Sequence, residues 1–236
     1  MTYNLSNISR VWALALSVIL LISIHGCKYI DKNAVHTEGE IIYDVNFPDQ
    51  EKSILLNVYP SEMKMSFKDN KLRGKLESIG GLVSSEIIVD TKSKSYWQLL
   101  NSFGDKISCE LNEEQVAEFI TPTQHNLQET GSSEHLEMNC RSYKILTTEG
   151  KERVEVLTTD EIEIENPNWY TPFAGAEGVL LKYELEQWGM RMTLTAREII
   201  FKEIPEDQFD ISNEYKEITA DSMYVHLEEL LKEMPR

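Results

Sequence analysis

Short runs in which apolar and polar residues alternate dominate the chain from about residue 38 onward. This two-residue period is typical of β-strands with one buried face. In residues 40–47 every second side chain from Ile41 is apolar, and Pro48 ends the run. The sequence predicts further strands at 63–67, 72–77, 83–89, 95–100, 106–111, 142–147, 153–158, 179–185 and 191–201. The sequence Lys68-Asp69-Asn70-Lys71 predicts a hairpin turn. The fold is therefore predicted to be mainly β.

Two segments have helical spacing instead. Asn112, two glutamates and Gln115 form a capping-box sequence, and Val116, Phe119 and Ile120 give the following turn an apolar edge. A second helix is predicted over 220–233 with Thr219 as its cap. Its apolar stripe consists of Met223, Leu227, Leu230, Leu231 and Met234. We expect that stripe to cover one face of the sheet within a single domain, residues 38–236.

The N-terminus has the layout of a signal peptide. Residues 1–10 contain Arg10 and no acidic group, and an apolar run of 14 residues, 11–24, follows. That run is shorter than the ~20 residues that a membrane-spanning helix needs. Residues 1–26 are therefore predicted to be a cleaved leader.

Ile24-His25-Gly26-Cys27 resembles the lipobox of bacterial lipoproteins, in which the cysteine receives diacylglycerol and becomes the new N-terminus. We predict lipid attachment at Cys27 and a polar tether over 27–37. The alternative is an ordinary secreted protein in which Cys27 lies near the cleavage site by chance. Residues 28–31 contain no acidic run that would direct surface export, which favours the periplasmic side of the envelope.

The net charge of the chain limits the classes of partner that it can bind. The formal net charge is −17, and such a surface is repelled by phosphate backbones and anionic headgroups. Nucleic acid is therefore excluded as a partner. The predicted membrane contact is the N-terminal lipid alone.

Two of the three cysteines remain after lipid attachment. Cys109 and Cys140 form an even pair in an oxidising compartment, where they either form a disulfide or lie buried as small apolar residues. The sequence leaves both alternatives open.

Six short segments together resemble an uncharacterised family of exported Bacteroidetes-type lipoproteins, similar in layout to the LolA/LolB-like outer-membrane lipoprotein carriers. They are residues 59–68, 158–162, 175–184, 194–199, 207–211 and 215–219. The resemblance implies a strongly curved antiparallel sheet that forms a half-barrel, with its concave face covered by helices. It further implies an apolar cavity for acyl chains and a location at the outer membrane.

No catalytic motif is present. The sequence has no G-x-S-x-G, no phosphate-binding glycine loop, no CxxC pattern and no metal-spaced histidine pair. We therefore predict neither an enzyme nor a bound metal or cofactor.

Aromatic and methionine side chains are the remaining candidates for a site. Such residues usually form core, but flexible methionines and flat rings also suit a cavity for hydrocarbon ligands. The candidates are Trp97, Phe103, Trp169, Trp188, Met190 and Met192. The sequence favours a non-enzymatic envelope lipoprotein that binds a lipid or another apolar molecule. A packed module that binds another envelope protein is the alternative.

Overall fold

The computed structural model describes residues 35–50, 59–78, 80–146, 155–187 and 190–233. The predicted leader, Cys27, nearly all of the tether and Trp188 lie outside these residues, so the predictions made for them stay predictions. The described residues belong to one compact unit that begins at Val35.

Twelve strands are present in the described part of the chain. They are β1 (Glu38–Asn46), β2 (Glu62–Lys68), β3 (Lys71–Glu77), β4 (Val83–Asp90), β5 (Ser95–Ser102), β6 (Asp105–Leu111), β7 (Leu127–His135), β8 (Met138–Ile145), β9 (Val156–Thr159), β10 (Val179–Gln187), β11 (Met190–Ile200) and β12 (Lys216–Glu217). Strand is thus the main secondary structure, as predicted.

All twelve strands belong to one sheet, in the order β12-β6-β5-β4-β3-β2-β1-β11-β10-β9-β8-β7. Each adjacent pair is antiparallel except β12 and β6, which are parallel. Because β12 and β7 lie at opposite edges, the sheet is not closed. The prediction of a mainly β fold with a large antiparallel sheet is confirmed.

Local turn chemistry explains the hairpin between β2 and β3. Asp69 and Asn70 connect β2 to β3 with φ of 44° and 71°, a conformation that Asn and Asp tolerate better than most residues. Lys68 and Lys71 pair across this turn. The hairpin predicted from the sequence is therefore present.

Strand β7 was not predicted. Residues 127–135 contain almost no apolar side chain, and most of them are exposed, so the alternation that identifies a buried strand is missing. β7 is an edge strand held by its ladder to β8, and a polar, charged composition is typical of an exposed edge. His135 at the end of β7 is partly buried, and its Nε2 lies 2.7 Å from the Ala196 carbonyl oxygen.

Both predicted helices form, although the first is short and irregular. The capping box at Asn112 is present: its side chain accepts from the Gln115 amide and the Gln115 side chain accepts from the Asn112 amide. Helix α1 (Glu113–Gln115) continues as a π-helical turn over Val116–Ile120. Helix α2 spans Ala220–Glu233 as predicted. Among the described residues, none of the helices is both long and apolar enough to cross a bilayer.

Apolar groups pack on both faces of the sheet. The main core gathers buried side chains from most strands with Met223 and Leu227 of α2. A second cluster places Ile88 and Leu99 against Ile204 and Phe209. The segment 201–218, which we call the strap, therefore covers part of the face opposite the main core.

Charged groups attach the strap to the sheet. The Arg73 guanidinium donates from Nε and Nη2 to Glu86 Oε2, at 2.9 and 2.6 Å. Its Nη1 donates to the carbonyl oxygens of Gln208 and Asp210, at 2.8 and 3.1 Å. This partly buried ion pair between β3 and β4 thus also satisfies two strap carbonyls.

Candidate functional site

The main core contains a cavity of about 300 Å³. One face of seven neighbouring strands lines it, from β5 through β1 to β10. Because side chains alternate between the faces of a strand, most of the contributing residues recur at every second position. The exceptions are on β10, where two pairs of adjacent residues, Val179 with Leu180 and Leu185 with Glu186, line the cavity. The strand residues of the lining are Tyr43, Met63, Met65, Leu72, Gly74, Leu76, Val83, Ser85, Ile87, Tyr96, Gln98, Leu100, Val179, Leu180, Tyr183, Leu185, Glu186, Met190, Met192 and Leu194.

Elements outside the sheet complete the lining. Ile120 of the π-helical turn and Leu227 of α2 both contribute to it. The loop between β9 and β10 adds Pro167, Asn168, Tyr170, Thr171 and Pro172. The cavity is therefore enclosed by the sheet, the loop and the two helical segments.

Internal hydrogen bonds fix the conformation of that loop. The buried Asn168 side chain donates from Nδ2 to the carbonyl oxygens of Ala176 and Gly178, at 2.8 and 2.9 Å. Thr171 Oγ1 donates to the Asn168 carbonyl and accepts from the Phe173 amide. Tyr170 lies between these two residues and is held against the cavity.

The mouth of the cavity lies at the end of the sheet that carries two turns, the one between β3 and β4 and the one between β5 and β6. Leu82 and Phe103 line the cavity there, yet they are 57% and 71% exposed. Phe103 has a φ of 52° in the two-residue turn Phe103-Gly104. An exposed aromatic residue in this left-handed conformation is unfavourable for folding.

Most polar groups deeper in the cavity are satisfied within the protein. Tyr96 Oη donates to Gln98 Oε1 at 3.1 Å, and Gln98 Nε2 donates to Ser85 Oγ at 3.0 Å and to the Glu86 carbonyl at 3.1 Å. Tyr43 Oη donates to the Leu180 carbonyl at 2.8 Å. These bonds stabilise polar side chains in an otherwise apolar wall.

Five of the six sequence candidates divide into three groups. Phe103, Met190 and Met192 line the cavity. Trp169 packs against the core without lining the cavity, and its indole N–H has no partner in the described residues. Trp188 lies outside the described residues.

Trp97, the sixth candidate, does not line the cavity. On β5, Tyr96, Gln98 and Leu100 face the cavity, so Trp97 between them faces the other way. It packs in the cluster beneath the strap instead. As a ligand candidate it was wrong because alternation along a strand separates adjacent residues onto opposite faces.

Sequence reasoning missed the tyrosines of the cavity. Tyr43, Tyr96, Tyr170 and Tyr183 are buried and line it. Tyr43 and Tyr183 pack edge to face with ring centroids 6.0 Å apart, and Tyr96 and Tyr170 are 5.9 Å apart. The positions of Tyr43, Tyr96 and Tyr183 at alternate residues of predicted strands were visible in the sequence, but the contacts between the rings were not. Tyr170 lies in the loop between β9 and β10.

Cys109 and Cys140 are free, buried thiols in the structure, so the disulfide is not formed. They lie on β6 and β8, which are far apart in the strand order. Burial raises the pKa of both thiols, that of Cys140 to about 11. Protonated, enclosed thiols are poor nucleophiles and act here as small apolar side chains.

The described residues contain no group of three or more His, Cys, Asp or Glu side chains that could hold a metal ion.

Comparison with known proteins finds no protein-family model that matches the chain. It finds no matching curated protein either.

Proposed function

We propose that this protein is a membrane-anchored envelope lipoprotein that holds an apolar molecule in its cavity without catalysing a reaction. The observation that carries the proposal is the cavity itself, because it is lined by aromatic, methionine and aliphatic side chains. At about 300 Å³ it lies at the lower end of the ~300–1,000 Å³ typical of ligand pockets. That volume suits one hydrocarbon chain.

The driving force for binding is the removal of apolar surface from water, at about 25 cal/mol per Å². Met63, Met65, Met190 and Met192 supply flexible, polarisable contacts around the chain. Such a wall accommodates chains of variable shape, which favours a lipid over a rigid metabolite.

The arrangement of lining strands supports a half-barrel as the shape of the binding domain. Seven flat strands at ~4.8 Å spacing would span about 29 Å from the first to the last. Tyr96 on β5 and Tyr183 on β10 nevertheless border the same cavity. We propose that the sheet curves strongly around the cavity and that α2 and the π-helical turn cover its concave face through Leu227 and Ile120.

A lipid on Cys27 would keep this domain close to the membrane, with the tether of residues 27–37 between them. A protein anchored in this way cannot diffuse freely between membranes. A local acceptor or holder of lipid is therefore a better fit than a soluble carrier. The outer membrane and its periplasmic side are the proposed location.

The binding test uses the full chain in isolated membranes and a photoactivatable long-chain alcohol that carries a diazirine and an alkyne. We expect labelled peptides to map to cavity-lining residues such as Met65 and Met192. Native mass spectrometry and lipid extraction of the purified chain provide a second readout. If no probe labels the cavity and no apolar molecule co-purifies, the packed protein-interaction module is the correct alternative.

Cys27→Ser tests the anchor separately. We expect the variant to lose incorporation of radiolabelled fatty acid completely, because a hydroxyl cannot replace the thiol in lipidation. Cys140→Ser is the matched control and is expected to retain incorporation. Equal incorporation into Cys27→Ser and the wild type would contradict the proposed lipid site.

Phe103→Asn tests the role of the mouth. Asn adopts positive φ readily and precedes Gly104, so the variant relieves about 1 kcal/mol of backbone strain. We expect a higher melting temperature together with several-fold weaker labelling by the alcohol probe, since an apolar contact at the mouth is lost.

Leu136→Asn is the matched control for this effect. Leu136 has a φ of 53° in the hairpin between β7 and β8 and is not among the cavity-lining residues. It should gain stability in the same way while labelling stays unchanged. Unchanged labelling in Phe103→Asn would show that the mouth has no role in uptake.

A further inference from the structure

Two tyrosine hydroxyls in the cavity have no partner within the protein. Tyr170 and Tyr183 are 7% and 5% exposed and line the cavity. Across the described residues neither hydroxyl makes a hydrogen bond, whereas the hydroxyls of Tyr43 and Tyr96 are both bonded. Buried hydroxyls normally find a partner, so two unpaired ones in the same wall require an explanation.

The free hydroxyls belong to two side chains that line the cavity. In the described residues three fully enclosed side-chain polar atoms lack a partner, namely Thr158 Oγ1, Trp169 Nε1 and Arg191 Nε. Neither tyrosine hydroxyl is among them, so each retains accessible surface. Because both residues are otherwise buried in the cavity wall, the cavity supplies that surface.

The two hydroxyls act as neutral hydrogen-bond donors and acceptors. Burial raises the pKa of both Tyr170 and Tyr183 above the ordinary value for tyrosine, with a smaller contribution from Tyr170 to the pKa of Tyr183. Both therefore keep their protons in the physiological range. An alcohol or a carbonyl oxygen is the complementary ligand group.

A charged headgroup does not fit the same place. The described lining contains no lysine, arginine or histidine, and its single charged side chain is the exposed Glu186. A carboxylate buried beside the tyrosines would lose its hydration without a cation to pair with. An ammonium group would have to stay at Glu186, away from the tyrosines.

The position of the tyrosines determines which end of the ligand lies deep in the cavity and which end lies at the mouth. Tyr96, which packs against Tyr170, is six residues along β5 from Ser102 at the mouth end, or about 20 Å at the usual rise per residue. The mouth is apolar, with Leu82 and Phe103 exposed. A polar group bonded beside Tyr170 would thus lie deep in the cavity and its chain would extend towards the mouth.

From these observations we infer that the cavity selects an uncharged, single-chain amphipathic lipid, with its hydroxyl or carbonyl group hydrogen-bonded to Tyr170 and Tyr183. This inference rests on the proposed binding function and specifies the ligand class. Fatty alcohols and acyl esters belong to that class, whereas ionised fatty acids and alkylamines do not.

Three photoactivatable probes with the same diazirine- and alkyne-bearing chain test the inference on the full-length protein in membranes: an alcohol, a fatty acid and an alkylamine. We expect the alcohol to label the cavity most strongly. The double variant Tyr170→Phe/Tyr183→Phe should reduce alcohol labelling about tenfold, as expected for two lost hydrogen bonds. Labelling by the acid and the amine should hardly change.

Tyr143→Phe is the matched control, because Tyr143 on β8 is buried, is not among the cavity-lining residues, and its hydroxyl accepts a hydrogen bond from the Glu177 amide at 3.3 Å. It should lower the melting temperature and leave the preference for alcohol intact. The double variant should melt no lower than the wild type, since its removed hydroxyls have no protein partner.

The outcomes separate the two proposals. If none of the probes labels the cavity, the proposed binding function fails. If the cavity is labelled but the acid or the amine is preferred, or if the double variant keeps full alcohol labelling, the ligand class inferred here is wrong while binding itself stands.

Discussion

Glu86→Ala is expected to lower the free energy of unfolding by about 2 kcal/mol, because it removes the carboxylate that accepts two hydrogen bonds from the partly buried Arg73 guanidinium. The Glu86 side chain is 7% exposed and accepts two hydrogen bonds from Arg73. The same guanidinium donates to Gln208 and Asp210 of the strap. Loss of its orientation should therefore also loosen the strap, which hydrogen exchange of the amides in 204–211 would detect.

Glu77→Ala is the matched control. Glu77 pairs with Lys75 at 2.5 Å on a largely exposed part of β3, and exposed pairs contribute less than ~1 kcal/mol. Chemical denaturation followed by circular dichroism compares the two variants. Equal losses of stability would mean that burial adds nothing to the Arg73 and Glu86 pair.

Gly74→Leu is expected to abolish labelling by the alcohol probe while maintaining stability. Gly74 lies in the middle of β3 and lines the cavity. A Cβ built there would be 3.2 Å from Ile87 Cγ1, so this β-branched side chain must shift by a few tenths of an ångström, and 3.5 Å from Met65 Cε, which is an ordinary contact. A leucine would fill space that a ligand needs, and filling a cavity typically stabilises a protein by ~0.5–2 kcal/mol.

Gly175→Leu controls for the change in composition. Gly175 lies in the loop before β10, where an added Cβ meets no atom within 4 Å. Its labelling should match the wild type. Full labelling of Gly74→Leu would mean that the ligand does not occupy the part of the cavity next to β3.

The local features of the fold were predictable because they depend on residues close together in the chain. The Asp69-Asn70 turn, the Asn112 capping box and the bounds of helix α2 each follow from residue types within a few positions. Their hydrogen bonds and φ values form locally, so the sequence pattern is sufficient. Strand β7 was missed for the complementary reason that it buries almost nothing and is defined by its partner β8.

The candidate site was only partly predictable. Met190 and Met192 were recognised by residue type, but Trp97 was assigned to a ligand site from which alternation on β5 excludes it. Tyr170 lies in a loop with no periodic pattern, and its place in the cavity depends on the hydrogen bonds of Asn168. Those bonds are not encoded in any local motif.

By itself the sequence determined that this is a mainly β protein and where most of its strands, turns and helices begin and end. It also carries the predictions of an N-terminal leader and of lipid on Cys27. Only the tertiary structure decided which strand faces meet around a hollow and which tyrosine hydroxyls are left unpaired there. The physical reason is that alternation defines two faces for each strand, and both faces are buried where the strap covers β4 and β5. Which face borders a cavity depends on the packing of seven strands whose residues are up to about 150 positions apart in the chain.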